Sequence, residues 1–258
     1  MSPAASPLSA DRIKALPKAE VHIHVEGSLE PEMVFALAER NGIPLPFASV
    51  ADLRARYSFA DLQSFLDLYY ACMDVLRTEE DFHDLASAYL RRAHAQGVRH
   101  AEMFLDPQAH TARGVPMESI IDGLTSALAG ARRDFGITGG LILCFLRDQS
   151  PASALSTLES IADRTDDLIG VGLDSAEVGY PPSLFTEVFV RARGRGLHVV
   201  AHAGEEGPRN TSGNRWISYG RSVSITGSGR SKTIAWSRGC AKRRFPSPSA
   251  RSAISGSK

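Results

Sequence analysis

Two histidine clusters are the residues in this chain whose types and spacing best suit chemistry. His22 and His24 are separated by one residue, and His202-Ala203-Gly204-Glu205 lies far downstream. In an extended strand, residues i and i+2 project from the same face. His22 and His24 on a strand would therefore set two imidazoles side by side, half of a site for Zn²⁺, which takes N, S and O ligands in a tetrahedron. The plainer alternative is a pair of histidines hydrogen-bonded at a strand end. In the second cluster Ala203 and Gly204 are small enough for a ligand to approach the backbone. Glu205, just beyond a histidine at a strand end, is placed to exchange protons with a substrate.

These side chains can meet only if the surrounding elements bring their strand ends together. Short runs rich in Val, Ile and Leu predict strands at Ala19–Val25, His100–Phe104, Leu141–Leu146, Leu168–Leu173 and Leu197–His202. Helical patterns fit Glu32–Asn41, Phe59–Leu76, Glu79–Gln96, Met117–Phe135, Pro151–Asp163 and Pro182–Arg195. Ser28 and Pro31 predict the start of the first helix, and Gly42, Gly97, Gly136 and Gly196 stand where helices should stop. The rhythm is βα repeated about five times, which predicts a parallel sheet flanked by helices, doubly wound or a (β/α)₈ barrel. In a barrel, chemistry gathers at the carboxyl ends of the strands. His24 and His202 both fall at such ends. So do Asp106, Asp174 and Glu177, although a single acid there more often caps a helix. Arg147 and Asp148 follow the third strand and could pair with each other. His110 reads as structural, and His83, His94, His100 and His198 as packing or surface residues.

The sequence around the clusters resembles the adenosine/adenine deaminase family over about residues 11–208. The resemblance is carried by Leu16-Pro17-Lys18-Ala19-Glu20-Val21-His22-Ile23-His24-Val25-Glu26-Gly27-Ser28, by Phe104-Leu105-Asp106-Pro107-Gln108, by Gly172-Leu173-Asp174-Ser175 and by His202-Ala203-Gly204-Glu205-Glu206-Gly207-Pro208. It implies a metal-dependent (β/α)₈ barrel with His22, His24 and His202 as zinc ligands. It also implies Glu205 as the acid that protonates the purine ring while water displaces the exocyclic amine. Glu26, Asp174 and Glu177 become candidate substrate contacts. Glu26, in a place where adenosine deaminases carry Asp, resembles the adenine deaminase branch, because a longer acid crowds the space of a ribose. The expected reaction is adenine to hypoxanthine with release of ammonia; the alternative is adenosine to inosine.

The resemblance stops near Pro208. The family's further His in Asp-His-Gly, its Pro-Leu-Ser-Asn segment and its Asp-Asp pair do not follow. All 29 acidic residues lie in 1–208 beside 18 basic ones, a net charge of −11. Residues 209–258 carry 11 Lys and Arg with 12 Ser and 6 Gly, a net of +11. This division predicts a partial deaminase barrel over 1–208 and a basic tail over 209–258, disordered or read out of frame. Rejoining the third base of each codon to the next two allows Ile-Asp-His-Gly over 223–227 and Pro-Leu-Ser-Asn toward 254. A barrel short of three strands should have open edges at its first and fifth strands, poor solubility and little activity. A nucleic-acid-binding tail is the reading from another class, although a shifted frame produces basic, Ser-rich sequence without selection for binding.

Three scattered cysteines, Cys72, Cys144 and Cys240, make no CxxC pair, which predicts a reducing, cytoplasmic setting. No apolar run is long enough to cross a membrane and no leader is apparent.

Overall fold

The structure is a computed structural model, and it describes residues 9–204, 222–226 and 233–234. In chain order the elements are α1 (Ala10–Ala15), β1 (Lys18–His24), α2 (Pro31–Asn41), α3 (Val50–Ala55), α4 (Leu62–Met73), α5 (Glu79–Ala95), β2 (Val98–Leu105), α6 (Pro107–Thr111), α7 (Met117–Phe135), β3 (Thr138–Leu146), α8 (Pro151–Ser160), β4 (Leu168–Asp174), α9 (Thr186–Gly194), β5 (His198–His202), β6 (Ser222–Thr226) and β7 (Thr233–Ile234). The sheet runs in sequence order from β1 to β7. Pairing is parallel as far as β6, and β7 runs antiparallel to β6.

All five expected strands form, with ends moved by at most three residues. The helices differ more. Ser28 does not cap α2: its hydroxyl donates to the Val25 carbonyl at 2.7 Å and closes a 3₁₀ turn, so Glu30 is the residue before the helix. The long helix expected over 59–76 begins only at Leu62, where Asp61 and Ser64 form a reciprocal cap. The helix expected to reach Asp163 stops at Ser160 and continues as a 3₁₀ turn over Ala162–Asp167. The open edge expected at the fifth strand is not found, because β6 pairs with β5 along Val199–His202.

Period-two alternation divides the buried side chains between two layers. Ala101, Met103, Leu105, Leu141, Leu143, Phe145, Val171, Leu173 and Val199 join the main core against the helices. Phe104, Ile142, Cys144 and Val200 form a separate cluster on the other face. That inner face is tight. A Cβ on Gly172 would lie 2.6 Å from the Cys144 sulfur, closer than real contacts allow. At the opposite end of the sheet Gly97, with φ +87°, turns the chain into β2, and a Cβ there would strike the Lys14 and Leu16 carbonyls.

Curvature follows from one contact. His24 and His202 lie on strands four places apart, which in a flat sheet means roughly 19 Å between backbones. Their Nε2 atoms are 3.3 Å apart. Only a sheet curled into the arc of a barrel brings them together. The architecture is α/β, a partial barrel of the TIM type with helices outside. Among the described residues no helix is long and apolar enough to cross a membrane.

Candidate metal centre

His22 and His24 project inward from β1, and His202 from the carboxyl end of β5. Their Nε2 atoms form a triangle with sides of 3.2, 3.3 and 3.0 Å. Nitrogen ligands about 2.05 Å from a tetrahedral zinc are roughly 3.3 Å apart, so the triangle has the size of one face of such a site. The Phe104 ring lies beneath, stacked on His22 at 4.4 Å and tilted to His24 at 5.1 Å, and it fixes both imidazole planes. Burial, with the two neighbouring imidazoles, moves His202 well below the ordinary histidine range and favours the neutral form a metal requires.

The far side of the triangle is held by carboxylates. His24 Nδ1 is 3.3 Å from Asp174 and 3.8 Å from Asp106. This is the arrangement of an acid behind a ligating imidazole, which sets tautomer and ring orientation. Asp174 is buried beside Cys144. Burial and the Asp106 carboxylate push Asp174 well above the usual carboxylate range. Burial also opposes ionisation of Asp106, but contacts with His24, Asp174 and Tyr69 outweigh it and hold that carboxyl low. Burial raises the Cys144 thiol far above its ordinary range, so it remains a thiol.

The sequence-predicted residues are placed as follows. His22, His24 and His202 converge. Asp174 backs His24. Glu177, 3% exposed, accepts the Gly204 amide at 2.8 Å and fixes the turn that follows His202. Glu26 is fully buried, and its Oε1 accepts from the Asp106 amide at 2.9 Å and meets His110 Nε2 at 3.2 Å. The three acids expected to touch substrate are thus all bonded within the protein. Glu205 lies outside the described residues. Arg147, read as a partner for Asp148, is fully buried and donates to the carbonyls of Tyr180 and His202, which ties β3 to the end of β5.

Other residues of the site were not singled out in the sequence. Tyr69 reaches in from α4, donates to Asp106 at 2.8 Å and stands 3.4 Å from Glu26. Burial and these acids push its hydroxyl well above the usual phenol range, so it serves as a donor. Tyr70 donates to the Ser175 hydroxyl at 3.0 Å, and Ser175 adopts a left-handed φ of 70° directly after β4. Gln108 donates to Gln149 and Ser153 and accepts the Leu146 amide, joining the loops after β2 and β3. Asp106 was expected at a strand end, and the quoted Phe104–Gln108 run could also have flagged Gln108. No periodicity marks Tyr69 or Tyr70, because they act across the sheet from an inserted helix.

Three imidazoles at the carboxyl rim of a curled parallel sheet, backed by buried acids, form a candidate metal centre at the end of the sheet where barrel enzymes gather their chemistry. The chain belongs to the adenosine deaminase family, whose profile matches residues 17–213. An adenine deaminase of Streptomyces coelicolor is 61% identical over 198 residues, 77% of this chain and 58% of that protein. An adenine deaminase of Ralstonia nicotianae is 59% identical over 207 residues, 79% of this chain and 60% of that protein. Among solved structures, an adenine deaminase from Arthrobacter aurescens superposes with a TM-score of 0.73 at 56% identity, covering 75% of this chain and 59% of the other. An amidohydrolase from Burkholderia ambifaria with bound zinc gives a TM-score of 0.70 at 32% identity, over 79% of this chain and 57% of the other. The chain therefore spans about three fifths of the curated relatives it matches.

Proposed function

We propose that this chain carries the three-histidine half of a zinc-dependent adenine deaminase, which converts adenine and water to hypoxanthine and ammonia. The observation that supports this most directly is the triangle of His22, His24 and His202 nitrogens, with sides of 3.0 to 3.3 Å. Its size and its imidazole donors suit zinc. Bound there, the metal supplies a water acidic enough to act as a nucleophile near neutral pH.

The chain's own residues do the rest. Asp174 faces the Nδ1–H of His24 as acceptor, which leaves Nε2 free to ligate. Glu177 holds the Gly204 amide and with it the turn that follows His202. Glu205 hands a proton to the purine ring nitrogen beside the carbon that bears the amine, which makes that carbon electrophilic. Glu26 sets the substrate: it occupies the space a ribose would need and favours the free base over the nucleoside. The relatives at 59–61% identity bear the name adenine deaminase, which favours the same choice. Residues 209–258 are proposed to be a separate basic stretch, read from a shifted frame, and the setting a reducing cytoplasm in which Cys72 and Cys144 stay thiols.

The test has two parts. The purified chain should bind one zinc, and His22→Ala or His202→Ala should abolish that binding; a metal-free wild type in zinc-containing buffer would defeat the metal assignment. A gene with the frame restored near codon 208 should deaminate adenine in preference to adenosine, and the reverse preference would establish the nucleoside reading instead.

A further inference from the structure

A closed ring of hydrogen bonds surrounds the backbone of His202 at the end of β5. Arg147, the residue after β3, is completely buried. Its Nε donates to the Tyr180 carbonyl and its Nη1 to the His202 carbonyl, both at 2.8 Å. The Tyr180 amide donates to the Glu177 carbonyl at 3.1 Å, and the Glu177 carboxylate accepts the Gly204 amide at 2.8 Å. Gly204 lies two residues beyond His202, so the path returns to where it began. The Arg147 amide donates to the Asp174 carbonyl at 3.0 Å. A single residue thus grips the end of β4, where the acid behind His24 sits, and the end of β5, where His202 sits.

We propose that Arg147 is a positioning residue for the metal centre: its guanidinium fixes the His202 carbonyl and so aims the imidazole at the point where the His22 and His24 nitrogens converge. The inference rests on the reading of the three histidines as a zinc site. Side-chain direction follows from the backbone that carries it. The triangle tolerates little error, because its sides of 3.0 to 3.3 Å suit ligands about 2.05 Å from one ion. His22 and His24 share a strand and take their ring planes from Phe104. His202 comes from a strand four places away, so its alignment with them depends on what pins that strand end. A guanidinium suits the task, since it is flat, holds its donors at fixed separations and can satisfy carbonyls of two segments at once. Its charge works the other way. It reaches the His202 imidazole, where it opposes protonation, and it would repel a metal cation in the same manner. Positioning and charge therefore predict opposite signs when the guanidinium is removed.

Zinc affinity of the full chain, measured by competition with a chromogenic chelator, reads that sign. Arg147→Met should weaken zinc by about 10- to 100-fold, as loss of a group that orients a ligand does. Arg147→Lys keeps the charge and gives up the planar fork, and should weaken zinc as well. Phe189→Leu, in the core on the helix side of the sheet, is the control for lost stability. It should lower the urea midpoint and leave zinc affinity as in the wild type. Cobalt in place of zinc reads geometry, because its visible absorption depends on the number and arrangement of its ligands. That band should change in both Arg147 variants and persist in Phe189→Leu. Unchanged or tighter zinc binding in Arg147→Met would overturn the proposal, as would an equal fall in Phe189→Leu. If Arg147→Met fails to fold, Arg147→Lys carries the test, and wild-type affinity there would overturn it. A wild type that takes no zinc would defeat the metal reading and the positioning role with it. A zinc-binding wild type with unaffected Arg147 variants would defeat the positioning role alone.

Discussion

The carboxylate of Asp174 lies 3.3 Å from Nδ1 of His24, at the end of the strand three places along the sheet from the one that carries the imidazole. The ring is thereby held from behind while its other nitrogen faces His22 and His202. Asp174→Asn replaces the carboxyl group that faces Nδ1 with an amide that must choose between donor and acceptor. Zinc affinity should fall by about 10- to 100-fold, measured by competition with a chromogenic chelator, with the circular dichroism spectrum unchanged. Unaltered affinity would mean that Phe104 stacking alone orients His24.

Glu177 fixes His202 from the opposite direction, through the Gly204 amide at 2.8 Å. Glu177→Ala leaves that half-buried amide without this acceptor and loosens the turn behind a ligand. Weaker zinc binding is expected together with a stability loss of about 1–3 kcal/mol, read from urea unfolding. A loss of stability with zinc affinity intact would separate the two effects and remove Glu177 from the metal centre.

Away from the site, Asp81 is the buried acid with the most partners. It accepts the amides of Arg77 and Thr78 at 3.0 and 2.9 Å, and bonds from Asn41 and Arg40 at 2.8 and 3.0 Å. Burial works against its charge, but the Arg77 amide, Asn41 and Thr78 overcome this and hold its carboxyl below the ordinary value. A depressed folded-state value means that the carboxylate's stabilisation is fully present above the unfolded value, near pH 4, and disappears as pH falls through the folded one. Asp81→Asn should cost about 2–4 kcal/mol at pH 7. The gap between mutant and wild-type urea midpoints should narrow as pH drops below 4; a gap constant with pH would show that shape, not charge, is what Asp81 contributes.

Packing under the centre can be tested at Gly172, whose missing Cβ makes room for the Cys144 sulfur. Gly172→Ala should destabilise by about 1–3 kcal/mol through overpacking. Cys144→Ala in the same chain should recover part of that, because the clash is with Sγ. A double variant no more stable than the single one would place the strain in the backbone.

The 258-residue chain should convert adenine to hypoxanthine no faster than its Glu205→Gln variant, followed by the loss of adenine absorbance. Turnover clearly above that control would show that three histidines and one acid suffice. Sequencing codons around Pro208 supplies the complementary check, since a coding sequence with no one-base shift that restores Asp-His-Gly would rule out the altered frame.

Local rules made a good part of this protein legible in its sequence. Alternation of apolar residues located five strands, and the one-residue spacing of His22 and His24 put both rings on one face, because strand periodicity is a property of the backbone. The quoted motifs carried the family and the candidate ligands. Tertiary structure decided what depends on closing the sheet. Whether His202 meets His24 is a question of curvature across β1 to β5, and no local pattern encodes it. The partners of Asp174, Glu177 and Glu26 lie on other elements, so the sequence could place these acids but not show what they bond to within the protein. Tyr69 was silent for the same reason: a hydrogen bond between segments far apart in the chain leaves no period or spacing in either one. The sequence by itself thus determined the strands, the family and the ligating residue types, while the curled sheet determined which side chains face one another, since side-chain direction is set locally and side-chain company only by packing.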